Sequence, residues 1–285
     1  MGVILVLLSG LAFTMSSYYG KVITNTTAMS GVIGSFSRFL FGTICMFIYI
    51  LITKKDFRPQ NLKPIFFRAV YNSFAIILFS TAYKYSTITN INMLHMTYPL
   101  FVILIAPYFT GEKVSKSTYF YLTVIMIGSY IVADPSFGNV NFGDLLAITS
   151  AVVAAFSIMY LTISRQENEG YIIVFYVMLI GTLVNIPFAY KDLSSFDFAG
   201  IIPVFLTASL GFLGQIFLTW GYKFVDSATG ALVSTSRIVM SALVGYLLLS
   251  EPLETNIIIG IILITSSLIG LSGFFNKKQE VIKDK

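Results

Sequence analysis

Charge is what this 285-residue chain has least of. Asp, Glu, Lys and Arg make up 11% of it, against about 25% in a typical soluble domain, while hydrophobic residues reach 56%. Polar surface to cover a globule of this size is missing. The lone cysteine, Cys45, excludes an internal disulfide and a Cys-cluster metal site, and the lone histidine, His95, excludes a His-rich zinc site. No GxxxxGK[ST] loop is present, so an ATP-driven P-loop motor is excluded. No segment is long and polar enough for a soluble domain, and the strand-like alternation of an outer-membrane barrel is absent. No cofactor is implied.

What is there instead is a series of apolar runs. A spanning helix needs about 20 mostly apolar residues. Ten runs qualify: 2–21, 31–52, 65–84, 87–108, 117–133, 143–163, 170–190, 200–221, 227–248 and 255–275. The first lacks the charged start and cleavage site of a secretory signal and reads as a retained helix. The class is an all-α integral membrane protein. With the N-terminus inside, Lys54, Lys55, Arg58, Lys63, Arg68, Lys113, Lys116, Arg165, Lys223, Lys277, Lys278, Lys283 and Lys285 fall on the inner face. Only Lys21, Lys84 and Lys191 fall outside. That asymmetry places both termini in the cytoplasm and the protein in the cytoplasmic (inner) membrane. The net charge of +5 marks the inner face and not a nucleic-acid surface.

The chain also repeats itself. A shift of 139 residues aligns Phe36 with Phe175, Leu40 with Leu179, Gly42 with Gly181, Phe66 with Phe205, Ala69 with Ala208, Ile77 with Ile216, Tyr83 with Tyr222, Lys84 with Lys223 and Glu112 with Glu251. The first helix matches the sixth at a shift of 141. Chance matches among apolar residues are common, but charged and aromatic matches at one fixed shift point to duplication. A five-span unit repeated in tandem must lie in the membrane in opposite senses. The expected organisation is therefore two inverted five-helix repeats, 1–134 and 135–275, and a cytoplasmic tail, 276–285. Such folds bind substrate near the midplane and alternate its access.

The stretch Ser37-Arg38-Phe39-Leu40-Phe41-Gly42, Arg68 opening the third helix, the passage from Ala82-Tyr83-Lys84-Tyr85 to Tyr98-Pro99-Leu100-Phe101, and the acidic turns at Glu112 and Glu251 resemble the drug/metabolite transporter superfamily in its ten-helix EamA-like branch. The resemblance covers essentially the whole chain. It implies secondary transport of small metabolites, often export of amino acids or related compounds, and in some members carriage of S-adenosylmethionine or exchange of phosphorylated sugars. One departure is visible: the second half has Val177 where the first has Arg38.

Ionisable residues inside a membrane are expensive and mark function. Three fall near mid-depth: Arg38, ~10 Å from the outer face, His95, ~12 Å from the same face, and Arg237, ~15 Å from the inner face, at 1.5 Å per residue. The acids sit near helix ends or in loops, so the guanidiniums must find carbonyls, water or substrate. An arginine can grip a carboxylate with two bonds or tie down broken helix ends through carbonyls. His95 is either a proton carrier or a neutral core histidine. Tyr98 occupies the repeat position of Arg237, Asn72 and Gln215 lie deep in the third and eighth spans, and Pro99 should kink the fourth near His95. Arg237, Arg38, His95, Tyr98, Asn72 and Gln215 form the candidate substrate site. The small-residue stripes Ser9, Ala12, Ser16 and Ser150, Ala154, Ser157 read as packing seams.

The expected function is secondary or exchange transport of an amino acid or other carboxylate-bearing metabolite by alternating access. S-adenosylmethionine or a nucleotide-like compound is the alternative cargo. An intramembrane lipid-modifying enzyme would need a nucleophile with its base, or a metal ligand set, and the buried residues supply neither. The expected partners are a small-molecule substrate and the lipid bilayer, with no nucleic acid; a homodimer is left open.

Overall fold

The computed structural model describes residues 1–82, 84–85, 88–111, 115–133, 141–194, 196–249 and 255–271. Tyr83, the acidic turns at Glu112 and Glu251, and the tail 276–285 lie outside the described residues. The described part is helical, with no strand in it. The helices run in order: α1 Gly2–Thr26, α2 Gly31–Thr53, α3 Leu62–Ala82, α4 Ile88–His95, α5 Tyr98–Phe109, α6 Lys116–Ala133, α7 Phe142–Glu167, α8 Gly170–Ser194, α9 Ile201–Gly221, α10 Ser227–Ser234, α11 Ser236–Leu249 and α12 Thr255–Leu271. A 3-10 turn, Phe198–Gly200, leads into α9. Eight helices among the described residues are long and apolar enough to cross a membrane, counting Ile91–Phe109 and Ser227–Leu248 as one crossing each. The expected spans 117–133 and 255–275 form α6 and α12, of 18 and 17 residues. The protein is an integral, multi-pass membrane protein.

Two of the expected spans are broken in mid-course. The fourth parts into α4 and α5 at Met96 and Thr97, and the ninth into α10 and α11 at Thr235. Shifted by 139, Met96 becomes Thr235. At the first break Pro99 sits in the first turn of α5, where its missing N–H leaves the His95 carbonyl without its helical donor. At the second break no proline is present; Ser234, Thr235 and Ser236 stand in a row. Hydroxyls compete with the helical ladder for carbonyls. The Thr97 hydroxyl donates to the Leu94 carbonyl at 2.7 Å and that of Thr235 to the Leu232 carbonyl at 2.6 Å.

The packing of the helices follows the duplication. α1 packs on α9 as α7 packs on α3; α2 on α9 as α8 on α3; α1 on α11 as α7 on α5. α2 lies against its own counterpart α8, and α6 against α12. Individual side chains repeat the relation. The Ser16 hydroxyl donates to the Thr207 carbonyl at 2.8 Å, and the Ser157 hydroxyl to the Arg68 carbonyl at 3.2 Å. Thr43 hydrogen-bonds Thr182, the residue 139 positions on, at 3.1 Å. A residue can touch its own counterpart only where the two halves meet at the line that relates them. Close approach there is made by a glycine pair: a Cβ at Gly42 would lie 2.6 Å from Met178 Sδ, and one at Gly181 would lie 2.4 Å from the Phe39 ring. Phe39 and Met178 are themselves counterparts.

The ends of the bundle are tied by polar contacts. At one end Gly2 lies against Gly221 and Phe224, and Gly170 against Trp220 and Arg165. There the Asn61 amide donates to Asn168 Oδ1 at 3.2 Å, and Asn168 Nδ2 donates back to the Asn61 carbonyl at 3.1 Å. The start of α1 and the finish of α7, which are counterpart helices, thus share this end. At the other end the buried Asp192 carboxylate accepts from the Ser30 amide at 3.0 Å and hydroxyl at 2.5 Å, holding the start of α2 to the finish of α8. Large apolar side chains such as Ile44, Ile48 and Ile52 of α2 face outward, as the surroundings of a membrane protein require.

Gly181→Ala drives a methyl into the Phe39 ring at the seam between the halves. Overpacking of this kind costs about 1–3 kcal/mol. The expected outcome is a lower melting temperature in detergent; an unchanged one would place the seam elsewhere.

Candidate functional site

A cavity of ≈ 130 Å³ opens where the two broken helices meet α1, α2, α3, α7 and α9. That is room for several water molecules or one small metabolite. The six candidates are brought together: Arg38, Asn72, His95, Tyr98, Gln215 and Arg237 all line it. A seventh residue lies with them. Arg68, counted among the inner-face cations from sequence, is 1% exposed and lines the same cavity. The reason is helix length: α3 starts at Leu62, so Arg68 is six residues inside it, ~9 Å along the axis.

Each cation has a place made for it. Arg38, on α2, lies across Gly211 of α9, where a Cβ would come within 2.2 Å of its Cδ. Arg237, in the first turn of α11, lies across Gly10 of α1, 3.2 Å from Cβ position to Cγ. Both guanidiniums approach the ring of Phe13, with Cζ at 5.8 Å and 5.2 Å from its centroid, and Arg38 is also 4.9 Å from the Phe39 centroid. Phe13 is seated in turn against Gly214. Aromatic faces attract cations at such distances. Across the cavity one nitrogen of the Arg68 guanidinium donates to Ser157 Oγ, whose own proton goes to the Arg68 carbonyl. Its Nε and its other terminal nitrogen are buried with no hydrogen-bond partner among the described residues, and the same holds for Asn72 Nδ2.

His95 is half-buried between Phe79, at 4.7 Å between ring centroids, and Tyr98, at 5.9 Å. Its Nδ1 lies 2.8 Å from Ser150 Oγ. The Ser150 hydroxyl spends its proton on the Ala75 carbonyl at 2.8 Å, so Ser150 accepts and Nδ1 carries the hydrogen. Tyr98 bonds Ser234, joining the start of α5 to the finish of α10. Gln215 Nε2 donates to Thr219 Oγ1 at 3.2 Å. The serine stripes prove to be seams that also reach the cavity, since Ser16 and Ser157 both line it. Among the described lining residues none is Asp or Glu. Three guanidiniums thus line the cavity with no carboxylate among its described residues.

The sequence of the chain matches the model of the EamA-like transporter family twice, over residues 1–133 and 141–273. The chain belongs to this family. Among its relatives is the pseudopaline exporter CntI of Pseudomonas aeruginosa, 26% identical over 275 residues covering 95% of each chain. An uncharacterized transporter of Helicobacter pylori is 23% identical over 293 residues, 98% of each chain. A crystal structure with 16% sequence identity superposes with a TM-score of 0.74 over 98% of both chains and shows the same fold. The two named relatives are described as transporters.

Gly211→Ala is favourable for α9 as a helix, yet its methyl must displace Arg38. The expected result is a folded protein whose melting temperature falls by the equivalent of about 1–3 kcal/mol as the Arg38 stem and the Ser16 hydroxyl give way. An unchanged melting temperature would show that Arg38 does not rest on Gly211.

Proposed function

We propose that this member of the EamA-like family is a secondary transporter of the cytoplasmic membrane. It moves a small carboxylate-bearing metabolite, such as an amino acid, by alternating access. One observation carries the substrate class: Arg38, Arg68 and Arg237 line a single cavity with no Asp or Glu among its described residues. A desolvated guanidinium is stabilised most by a bidentate carboxylate. The same lining disfavours S-adenosylmethionine, whose sulfonium would enter a chamber already positive.

Two inverted five-helix repeats underlie the mechanism in this reading. Its supports are the matched contacts at a shift of 139, the Thr43–Thr182 bond and the opposite courses of α1 and α7. Each half brings one broken helix to the cavity, α4–α5 or α10–α11, and rocking of the halves about the Thr43–Thr182 seam would open the chamber to one face at a time. The relative CntI exports, as its name states, pseudopaline; export of a small metabolite is the corresponding reading for this chain. The end carrying Lys54, Lys55, Arg58, Lys63 and Lys223 is assigned to the cytoplasm.

Two experiments test the reading. In proteoliposomes, uptake of a radiolabelled carboxylate panel should saturate in the parent and fall at least about tenfold in Arg237→Ala, the scale of one lost charged hydrogen bond. Unchanged uptake in a well-folded variant contradicts the anion grip. For orientation, Cys45→Ala gives a cysteine-free chain. A membrane-impermeant thiol reagent added to intact cells should then label Lys191→Cys and leave Arg58→Cys untouched; labelling of both, or the reverse, contradicts the assigned topology.

A further inference from the structure

The polar groups of the cavity fall into two places. Arg38 and Arg237 gather around Phe13 of α1, on the side built by α1, α9 and α11. Arg68 and Asn72 stand one turn apart on α3, on the side built by α3, α5 and α7. Under the 139-residue shift these two sides are counterparts, yet their contents differ: Arg68 corresponds to Thr207, Asn72 to Gly211 and Tyr98 to Arg237. The α3 side therefore carries a cationic locus that its copy does not dictate. Tyr98 stands within electrostatic reach of both Arg68 and Arg237.

The Arg68 side has donors beyond the one its tether to Ser157 uses. Its guanidinium is 1% exposed, so bulk water does not satisfy it. Ser157 takes one nitrogen; Nε and the remaining terminal nitrogen, together with Asn72 Nδ2, have no hydrogen-bond partner among the described residues. Leaving charged donors unmade in a buried place is costly. Two adjacent guanidinium N–H groups are the fork that fits a carboxylate or phosphate, and Asn72 offers a further donor from the next turn.

We propose that the transported compound carries two anionic groups, one held by Arg38 and Arg237 beside Phe13 and the other by Arg68 and Asn72. This rests on the carboxylate reading of the cavity and narrows it to diacids. A diacid spans both counterpart walls, and so couples the two halves when it binds. A mono-acid engages one wall only.

The test uses probe pairs that differ by one carboxylate turned to carboxamide: glutamate with glutamine, aspartate with asparagine, succinate with succinamate. Affinity is read by calorimetry or ligand-induced melting shifts on the purified full chain. The diacid of at least one pair should bind about tenfold or more tightly than its monoamide. Arg68→Gln keeps a donor for Ser157 but loses the charge, and should bring the diacid down to the monoamide without changing the latter. Arg68→Lys, which keeps the charge without the fork, should show an intermediate preference and guards against misfolding of the first variant. If Arg68 only ties α3 to α7, Arg68→Gln will lower the melting temperature and leave the preference intact, which overturns the proposal. Saturable binding of both members with equal affinity overturns the diacid reading and leaves the carboxylate reading standing. Binding of neither member in any pair contradicts both.

Discussion

The structure turns on three guanidiniums, that of Arg68 buried and those of Arg38 and Arg237 half-buried, that share one chamber with no carboxylate among the described residues of its lining. Hydrogen bonds to hydroxyls, carbonyls and aromatic faces can satisfy donors, but they do not neutralise charge. In a low-dielectric surround a cation that keeps its charge needs an opposite one, or enough polar groups to stand in for water. Much of the local architecture follows from that. Gly10 and Gly211 leave notches for the arginine stems, Gly214 makes room for Phe13, and the broken helices bring His95, Tyr98 and Arg237 to the same space.

The scaffold and the site obey different rules. The scaffold repeats: the glycines Gly42 and Gly181 at the seam and the serine-to-carbonyl bonds of Ser16 and Ser157 recur in pairs, because each half buries similar helix faces against the other. The site is not twofold. Arg38 faces a counterpart Val177, Arg68 a Thr207, Arg237 a Tyr98 and His95 a Ser234. Duplication supplies two walls of the same shape, and divergence at a handful of positions sets their charge. The breaks show the same economy. One is made by Pro99 and the other by a row of three hydroxyl residues, two chemistries that interrupt the helix at matching places.

Much of this was legible in the sequence, and what was not has physical reasons. Apolar runs and the 139-residue shift speak directly to membrane helices and duplication, because lipid allows few other solutions. Arg38, His95 and Arg237 stood out since the outer surface at their depth meets lipid and not water. Arg68 did not, because it follows Lys63 closely and reads as one more cation near a helix start; its counterpart Thr207, well inside a helix, was the available signal. The second break carries no proline, and hydroxyl rows stay helical in many membrane segments. Phe13 gave no warning, as a phenylalanine in an apolar helix is indistinguishable from packing until a cation is seen on its face. α6 and α12, at 18 and 17 residues, are shorter than the eight helices long and apolar enough to cross a membrane among the described residues.

The most direct measurement of the central claim is the melting temperature of the purified protein as a function of carboxylate concentration, starting from a buffer whose only anions are bulky and weakly coordinating. A small carboxylate that enters the chamber should stabilise the fold along a saturating curve set by mass action, and a chain with Arg38, Arg68 and Arg237 all replaced by Gln should show no such response. A parent protein indifferent to carboxylate, or a triple variant that responds as the parent does, would contradict the account.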